Sequence, residues 1–520
     1  MISLSRRRRR KIRAYMRGFR ELQKHNKTEY VAEIRNELAN HPTNGESITQ
    51  IFDDKIETCY HQFLVYRLID IDFNKALLSA IVHPNKHFYY PLPPSWREII
   101  RSKGFKTTSL KNDILWFSFN FKWYLIGLIT GLLEVFHSEI FKKSRGFKKA
   151  AFFQNLYPNN FVQSGNKNSQ NIIEWFSEQK EAMDISTIYH NCKNIVNHEV
   201  KNKSVQFKRT PFTSINSLLK LIRFCRWLLY NSVNGIFNIQ ARLLFRQLVF
   251  DKITQLSARE ELCKYYLFHN SGHLLRPLWT YTAEQKECKI IFYFYSTNIS
   301  SFKEKEKQFI QDFQWQVVNW PHYWVWNKSQ ANFLVRNTIA LNKTTIKGII
   351  PFKASKQKLN INVNPHQKTL VVFDVQPVKH FLYAGLAPTV DYYSNENTIR
   401  FLEWIDALAV QYDLKIFLKR KRYSSLTSKR YLEKVNSLVG KGHWIDLNPE
   451  LDPNSACNQL KPTASIHIPY TSTAIITKEY NIPSVYLDPS NKLDPTFKIN
   501  NDIEFLSSKE ALFDWFENCI

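Results

Sequence analysis

The spacing of apolar and polar positions divides the chain into a helical first part and an alternating second part. Residues 1–254 carry mainly helical patterns, broken by polar stretches and by a Pro-rich loop at positions 91–94. From about residue 255, short apolar runs typical of strands alternate with amphipathic helical segments. Repeated βα units of this kind predict parallel sheets that are covered by helices on both faces.

The alternating part falls into two series of elements. The first series covers residues 255–352, a polar connection containing a proline covers 353–367, and the second series covers 368–520. In the second series the pattern predicts strands at 369–375, 414–418, 444–447, 464–468 and 484–487, and helices at 397–412, 428–439 and 473–480. Two such series predict an α/β fold with two facing Rossmann-like domains.

Residues 114–136 are the stretch of the chain that most resembles a membrane span. Lys122 and Glu134 interrupt it, and the uninterrupted apolar run from 123 to 133 is shorter than the roughly 20 residues that a span requires. We therefore predict a buried or interfacial helix. The spacing of Gly127 and Gly131 favours close helix packing within a protein core.

A second amphipathic stretch covers residues 216–230. Lys220, Arg223 and Arg226 recur every three residues, beside apolar side chains. Such a pattern is typical of a helix that lies in a bilayer interface. The alternative is an ordinary amphipathic helix that faces a protein core.

Charge is distributed unevenly along the chain. Of a net charge of +27, residues 1–250 contribute +20, because they hold 39 Lys and Arg against 19 Asp and Glu. Residues 201–250 contain nine basic and no acidic side chains. Such a segment favours a polyanionic partner, either an anionic lipid surface or nucleic acid. We expect no nucleic acid, because aromatic residues are not interleaved with the cations in an RNA-binding motif.

The N-terminal arm and the cysteines bear on the compartment. The basic run at 6–10 is not followed by an apolar segment, so it is not a secretory signal, and it is either a binding or a solubilising arm. The seven cysteines are scattered and form no Cys-x-x-Cys pair. This predicts a reducing compartment, and we expect no zinc site.

The segment 465–474 has the strongest chemical signal, since a strand-like run turns abruptly into hydroxyl residues that begin a helix. Unpaired N–H groups at a helix start bind phosphate, and Thr471, Ser472 and Thr473 add hydroxyl donors. Glu479 follows Ser472 by about two turns, from where it is expected to reach a sugar hydroxyl. The alternative is a simple N-cap with a solvated Glu479.

This segment resembles the signature of the bacterial polysaccharide biosynthesis PFTS motif family, in which Pro-Phe-Thr-Ser-Thr-Ala follows a strand and precedes a Glu-containing helix. Here residues 469–474 read Pro-Tyr-Thr-Ser-Thr-Ala, with Tyr470 in place of Phe. Further blocks extend the resemblance over residues 260–490; they lie at 276–281, 292–298, 319–323, 373–377 and 418–422. The resemblance implies the GT-B arrangement of nucleotide-sugar glycosyltransferases.

Three loops at the predicted carboxyl ends of strands in the second domain form the expected donor site. They contain Gln376, then the cations Lys419, Arg420, Lys421 and Arg422, and finally Pro469 with the three hydroxyl residues. Because side chains alternate along a strand, we expect one or two of the four cations to meet a nucleotide phosphate. Enzymes resembling this arrangement work without a bound metal, and the chain has no Asp-x-Asp pair in a suitable setting. We expect neither a metal nor a cofactor.

An acceptor site with a general base is expected in the first domain. The candidates for the base are His273, His322 and Glu284, with Asn270 and Ser271 as positioning residues at the end of a strand. Each histidine has a structural alternative, a hydrogen-bonded core residue. The sequence leaves the base unassigned.

Together these observations predict a glycosyltransferase of bacterial surface polysaccharide synthesis that is peripheral at the cytoplasmic face of the membrane. Its partners would be a nucleotide-sugar donor, a lipid- or glycan-linked acceptor and an anionic membrane surface. A polyol-phosphate transferase or a sugar epimerase with the same phosphate site remains an alternative. So does a non-catalytic protein, either a membrane-associated scaffold or a nucleic-acid-binding protein.

Overall fold

The computed structural model describes most of the chain, with gaps. The described residues are 28–41, 54–140, 147–161, 172–269 without 194, 196 and 213, 275–296, 303–306, 313–351 without 338, 359, 366–377, 392–421, 427–449, 451–495 and 503–519. The basic run at 6–10 and most of the predicted connection 353–367 lie outside these residues.

The first described part is helical, as predicted. Its helices are α1 (Thr28–Asn40), α2 (Asp54–Arg67), α3 (Ile71–Val82), α4 (Pro94–Ser102) and α5 (Ser109–Phe136). The first four surround an apolar core to which α5 and residues 243–244 also contribute, and Tyr60, Phe73 and Trp96 are fully buried in it. Asp70 caps α3 by accepting a hydrogen bond from the Asp72 amide.

An eight-stranded sheet forms the centre of the first lobe, in the order β3-β4-β2-β1-β5-β6-β7-β8. Its strands are β1 (Ala150–Phe153), β2 (Thr187–His190), β3 (His198–Val200), β4 (Lys203–Phe207), β5 (Tyr265–His269), β6 (Lys289–Tyr293), β7 (His322–Val325) and β8 (Thr344–Ile346). All neighbouring pairs are parallel except β3 with β4. The long buried aromatic core on its faces explains why β5 and β6 are apolar without alternation.

The first sheet begins earlier in the chain than the sequence analysis placed it. We predicted a domain boundary at 254/255, whereas strands β1 to β4, from Ala150 to Phe207, pair into the same sheet as β5. These strands are only three to five residues long and are separated by polar stretches, so they give little periodicity. Residues 203–207, which lie in one of the polar stretches of residues 1–254, form β4.

Helices cover this sheet and connect its strands. They are α6 (Ile172–Ser177), α7 (Leu218–Phe237), α8 (Ile239–Leu256), α9 (Trp279–Gln285), α10 (Phe313–Gln316) and α11 (Lys328–Arg336). Helix α8 packs against α5, α7 and α9, so it joins the helical part to the first lobe. Asn238 ends α7 and also caps α8, because its side chain accepts from the Ala241 amide.

The second lobe is a six-stranded, fully parallel sheet in the order β11-β10-β9-β12-β13-β14. Its elements are β9 (Thr369–Phe373), α12 (Asn395–Tyr412), β10 (Lys415–Lys419), α13 (Lys429–Val439), β11 (Trp444–Asp446), α14 (Pro453–Leu460), β12 (Ala464–His467), α15 (Thr473–Glu479), β13 (Ser484–Leu487), β14 (Glu504–Leu506) and α16 (Lys509–Glu517). All five residues of β9 are buried, as expected of a central strand.

The two lobes contact each other through loops that leave the carboxyl ends of their strands. The segment 303–306, after β6, pairs with residues 491–494, after β13, through the hydrogen bonds Lys305 N–H to Lys492 O (2.8 Å) and Asp494 N–H to Lys303 O (2.9 Å). The Lys303 ammonium also pairs with the Asp494 carboxylate at 2.5 Å.

The two sheets with their covering helices confirm the prediction of an α/β chain with two Rossmann-like domains after a helical region.

Candidate functional site

The second sheet has a point at which the direction of winding reverses. Strand β9 is followed in the chain by β10 and β11 on one side, whereas β12 to β14 lie on its other side. In such sheets a crevice opens at the carboxyl ends of the two central strands, and ligands bind there. The residues at this position are those that follow β9 and β12, namely 374–377 and 468–472.

The loop after β12 is held in an unusual backbone conformation. Tyr470 has a φ of +65°, a left-handed value that is rare and costly for an aromatic residue. Two tyrosines hold the loop: the Tyr486 hydroxyl donates to Thr471 O (2.9 Å) and the Tyr393 hydroxyl donates to Pro469 O (3.1 Å). Strain of this kind persists where surrounding contacts impose it, and it concentrates at ligand sites.

The three hydroxyl residues of the loop have different roles. The Thr471 hydroxyl donates to Ile468 O at 3.1 Å, and the Thr473 hydroxyl lies 2.9 Å from Nδ1 of His467. Ser472 occupies the N-cap position of α15, but its side chain makes no capping bond. The first-turn N–H groups of α15 are therefore not capped by Ser472. Since α15 has only seven residues, an anion at its start would be bound by these amides more than by the helix macrodipole.

His467 is a structural histidine under the loop. Its ring is fully buried, stacks on Phe373 with ring centroids 4.9 Å apart, and contacts the hydroxyls of Ser465 (2.9 Å), Thr473 (2.9 Å) and Thr477 (3.1 Å). Burial lowers the pKa of His467 to about 3, so the ring is neutral at physiological pH. It links β12 to the start of α15.

Two polar side chains after β9 are buried with unpaired atoms. Asp374 is 3% exposed and Gln376 is 5% exposed. Within the described residues, Asp374 Oδ1 and Gln376 Nε2 have no hydrogen-bond partner, whereas Asp374 Oδ2 accepts from the Tyr431 hydroxyl. Burial raises the pKa of Asp374 to about 7. Buried polar atoms without partners are rare in folded proteins, and a bound ligand is one reason for them.

The cations after β10 are placed differently from the prediction. The Lys419 ammonium is buried and donates to Arg420 O (2.8 Å) and Pro449 O (2.9 Å), and burial lowers its pKa to about 8. The Arg420 guanidinium, 8% exposed, binds Asp446 through two hydrogen bonds of 2.8 and 2.5 Å. Both charges are therefore engaged inside the lobe. Lys421 is exposed, and Arg422 lies outside the described residues.

Glu479 does not lie beside the loop after β12 that carries Thr471, Ser472 and Thr473, which we call the hydroxyl loop. It is the last residue of α15 and is exposed, whereas Ser472 precedes the first turn. The two residues are seven positions apart, which corresponds to about 10 Å along the helix axis. The structure thus brings together Gln376, Pro469 and the hydroxyl loop, but it places Glu479 toward the opposite end of the helix.

Two of the predicted acceptor-side residues lie at the wrong edge of the first sheet. His322 is the first residue of β7, so it lies at the amino end of its strand; burial lowers its pKa. Glu284 lies near the end of α9, which returns to that same edge, and it forms an ion pair with Arg276. Whether a residue lies at the amino or the carboxyl edge of a sheet depends on the direction of the strands. The spacing of residues in the sequence did not specify this.

The other three predicted acceptor-side residues, Asn270, Ser271 and His273, lie outside the described residues. A residue that the sequence analysis missed immediately precedes them. His269 ends β5, beside the reversal point between β1 and β5, and its Nε2 lies 2.9 Å from Asn155 O. Burial lowers the pKa of His269. A histidine as the last residue of an apolar strand was the signal that would have identified it.

A cavity of about 550 Å³ lies away from both carboxyl edges. It is bounded by α1, α2 and the segment 316–319 that precedes β7. Ligands of doubly wound sheets bind at the carboxyl edge, so the candidate site is chosen by topology and by the buried polar atoms after β9 rather than by this cavity.

The sequence matches one family profile, that of the polysaccharide biosynthesis PFTS motif protein, over residues 222–516. The match covers the hydroxyl loop, the segment after β9 and most of the first sheet from β5 onward. No curated protein matches the chain at a significant level.

Several solved structures show a remote likeness. The lipopolysaccharide outer core galactosyltransferase WaaB has 9% identity and a TM-score of 0.37, and the match covers 71% of this chain and 90% of that one. A UDP-forming α,α-trehalose-phosphate synthase from Burkholderia xenovorans has 7% identity and a TM-score of 0.35, with 71% and 92% covered. The UDP-GlcNAc 2-epimerase of Methanocaldococcus jannaschii has 11% identity and a TM-score of 0.30, with 53% and 74% covered. Values this low carry no conclusion about chemistry.

Proposed function

The chain belongs to the polysaccharide biosynthesis PFTS motif family, and we propose that it is a glycosyltransferase that takes its sugar from a nucleotide-activated donor. The observation that carries this proposal is a pair of buried atoms after β9, at the reversal point of the second sheet: Asp374 Oδ1 and Gln376 Nε2 have no hydrogen-bond partner within the described residues. The strained hydroxyl loop follows β12, the strand on the other side of that point.

The proposed donor lies with its phosphates at the start of α15. The first-turn amides and the Ser472 hydroxyl donate to the phosphate oxygens, and Gln376 and Asp374 supply polar contacts deeper in the crevice. As the bond to the sugar breaks, negative charge grows on the leaving phosphate, and donors fixed at that point stabilise it. In this scheme no metal or cofactor is required. Lys419 and Arg420 act by holding the crevice wall, since their charges are engaged.

We place the acceptor at the carboxyl edge of the first sheet. The general base would come from the residues at and after the end of β5, and we retain His273, which follows that strand in sequence. His269 is proposed as a positioning residue, because it is buried and its Nε2 contacts Asn155 O. His322 and Glu284 are not included, because they lie at the amino edge.

We further propose a lipid- or glycan-linked acceptor at the cytoplasmic face of the membrane, with no nucleic acid partner. The family description supports a role in polysaccharide synthesis. The basic first half supports an anionic surface as a partner. A polyol-phosphate transferase or an epimerase would use the same phosphate site, so the donor and the product must be identified directly.

A donor screen tests the activity. The full chain is incubated with nucleotide-activated sugars and polyol phosphates and with a lipid-linked acceptor extract, and products are identified by mass spectrometry. Transfer of a sugar with release of the nucleotide is expected. Transfer of a polyol phosphate, or isomerisation of the donor without transfer, would replace the proposal with the corresponding alternative.

A charge substitution at Ser472 tests the site. In Ser472→Glu the new carboxylate faces the donor phosphates, so calorimetry should show donor affinity reduced by about tenfold or more. Ser472→Gln has nearly the same size without the charge and should retain most of the binding. A glutamate is well tolerated at a helix start, so folding is preserved. Equal binding by the two variants would place the phosphates elsewhere.

A further inference from the structure

Helix α5 presents a long apolar stripe to solvent. It has 28 residues and is therefore about 42 Å long. The stripe recurs every three or four residues along one side, and its exposed members include Ile114, Phe117, Phe121, Leu125, Ile129 and Leu132. Water-exposed apolar side chains are ordinary when scattered, but a continuous stripe of this length indicates a contact surface.

Helix α7 extends the same surface. Its exposed apolar side chains include Ile222, Leu229, Val233, Ile236 and Phe237. The two helices touch directly, and glycines allow the close approach: a Cβ on Gly131 would lie 2.6 Å from Leu228 Cδ1, and one on Gly235 would lie 2.7 Å from Tyr124 Cε2. We call the outward sides of α5 and α7 together the α5/α7 face.

Cations border the α5/α7 face. Lys111 and Lys122 on α5, and Arg223 and Arg226 on α7, are exposed. Residues 201–250, which include all of α7, contain no acidic side chain. Apolar surface with a basic border is the composition that binds the interface of an anionic bilayer.

The inner side of α5 determines how the helix meets a membrane. By length and composition α5 is the one helix of the described residues that is long and apolar enough to cross a bilayer, and 22% of its most apolar window is buried. Its inner side packs on α8, where a Cβ on Gly127 would lie 2.5 Å from Phe245 Cβ, and where Tyr124 and Phe245 rings lie 5.3 Å apart. Since α8 also packs on α9 of the first lobe, α5 lies along that lobe.

We propose that the α5/α7 face binds the surface of an anionic phospholipid bilayer, with both helices lying in the plane of the interface and their apolar stripes among the acyl chains. Long basic side chains at the border reach the lipid phosphates. This inference does not depend on the transferase activity, so either one can fail without the other. It would bring the lobes to the surface on which a lipid-linked acceptor resides.

Vesicle flotation with the full chain tests the apolar part of the face. Wild type should float with vesicles that contain phosphatidylglycerol and should float poorly with pure phosphatidylcholine. The variant Phe117→Ser, Ile129→Ser, Leu229→Ser should bind at least about a hundredfold more weakly, because three exposed side chains no longer enter the acyl region. The matched control Leu341→Ser, Ile346→Ser, Val410→Ser changes equally exposed side chains elsewhere and should bind like wild type.

A charge variant tests the border. Arg223→Gln with Arg226→Gln should weaken binding to anionic vesicles by roughly fivefold for each cation. Lys328→Gln with Lys429→Gln is the control at exposed positions outside the face.

Light scattering without vesicles tests whether a second copy of the chain, rather than a membrane, covers the α5/α7 face. If wild type dimerises but does not float, and the serine variant does not dimerise, the proposal is overturned. Equal binding of wild type to anionic and neutral vesicles would also overturn it.

Discussion

The carboxyl edge of the second sheet and the α5/α7 face are both rich in cations, but they hold them in opposite ways. At the sheet edge, Lys419 donates to backbone carbonyls and Arg420 is paired with Asp446. On the helical face, Arg223 and Arg226 are exposed among apolar side chains, in a segment without any acidic residue.

The difference shows that a basic run in sequence does not identify an anion site by itself. The run at 419–422 is the densest in the second lobe, yet its first two cations are engaged within the lobe. The phosphate contacts proposed there rest on backbone amides and on the Ser472 hydroxyl. On α7, by contrast, Arg223 and Arg226 are exposed and available for a partner.

Removing Asp446 gives the largest expected effect and tests whether the cations at the sheet edge are structural. Asp446→Ala leaves the Arg420 guanidinium buried without its counter-charge, so the free energy of unfolding should fall by about 3 kcal/mol in urea denaturation. The control Glu433→Ala breaks an exposed pair with Lys429 and should change stability by less than about 0.5 kcal/mol. Similar losses in both variants would show that Arg420 is solvated.

A methyl group at Gly127 tests the packing that supports the α5/α7 face. In Gly127→Ala the new Cβ meets Phe245 Cβ and the backbone N of Arg246, which is 2.8 Å away, so α5 must shift from α8. We expect a loss of about 2 kcal/mol in the free energy of unfolding.

The matched control for that variant is Gly440→Ala. Gly440 has a right-handed helical backbone, and a Cβ there would find its nearest neighbour at 3.4 Å. Its stability should stay within about 0.5 kcal/mol of wild type. If Gly127→Ala were equally mild, the close contact of α5 with α8 would be wrong.

The ionisation of Asp374 gives a smaller effect that is specific to the sheet edge. Burial raises its pKa from 3.8 to about 7, so the folded protein binds a proton that the unfolded chain has released. The stability from this group is complete below pH 3.8 and is lost as pH rises through 7. Between pH 6 and 8 the free energy of unfolding should fall by about 1 kcal/mol.

Asp374→Asn should remove this slope, as measured by urea denaturation at several pH values. A control variant, Asp54→Asn, changes an exposed carboxylate of α2 and should keep the slope of wild type. An unchanged slope in Asp374→Asn would mean that another group titrates in this range.

The sequence predicted the second lobe closely and the first sheet incompletely. Strand β9 is apolar in all but its first residue, and α12 begins at a capping serine, Ser394, so both signals are local. Strands β1 and β2 are four residues long and find their partners far along the chain. Helix α5 begins at Ser109, five residues before the predicted segment 114–136, and Lys122, which interrupts the apolar run in sequence, is exposed on it.

For the candidate site, the sequence located the loop but not the partners of its side chains. The hydroxyl residues 471–473 follow β12 as predicted, because a strand that turns into Ser and Thr has a strong local signal. The pairing of Arg420 with Asp446 depends on β10 and β11 being neighbours, which no local pattern shows. The unpaired atoms of Asp374 and Gln376 also required the packed lobe.

The central claim is that the donor phosphates bind at the start of α15, and a structure of the full chain soaked with a nucleoside-diphosphate sugar tests it most directly. The account predicts phosphate oxygens about 3 Å from the amide nitrogens of Thr473 and Ala474, and ligand atoms within hydrogen-bonding distance of Gln376 Nε2. A nucleotide bound at the amino edge, or one whose phosphates contact Lys421 without approaching α15, would contradict it.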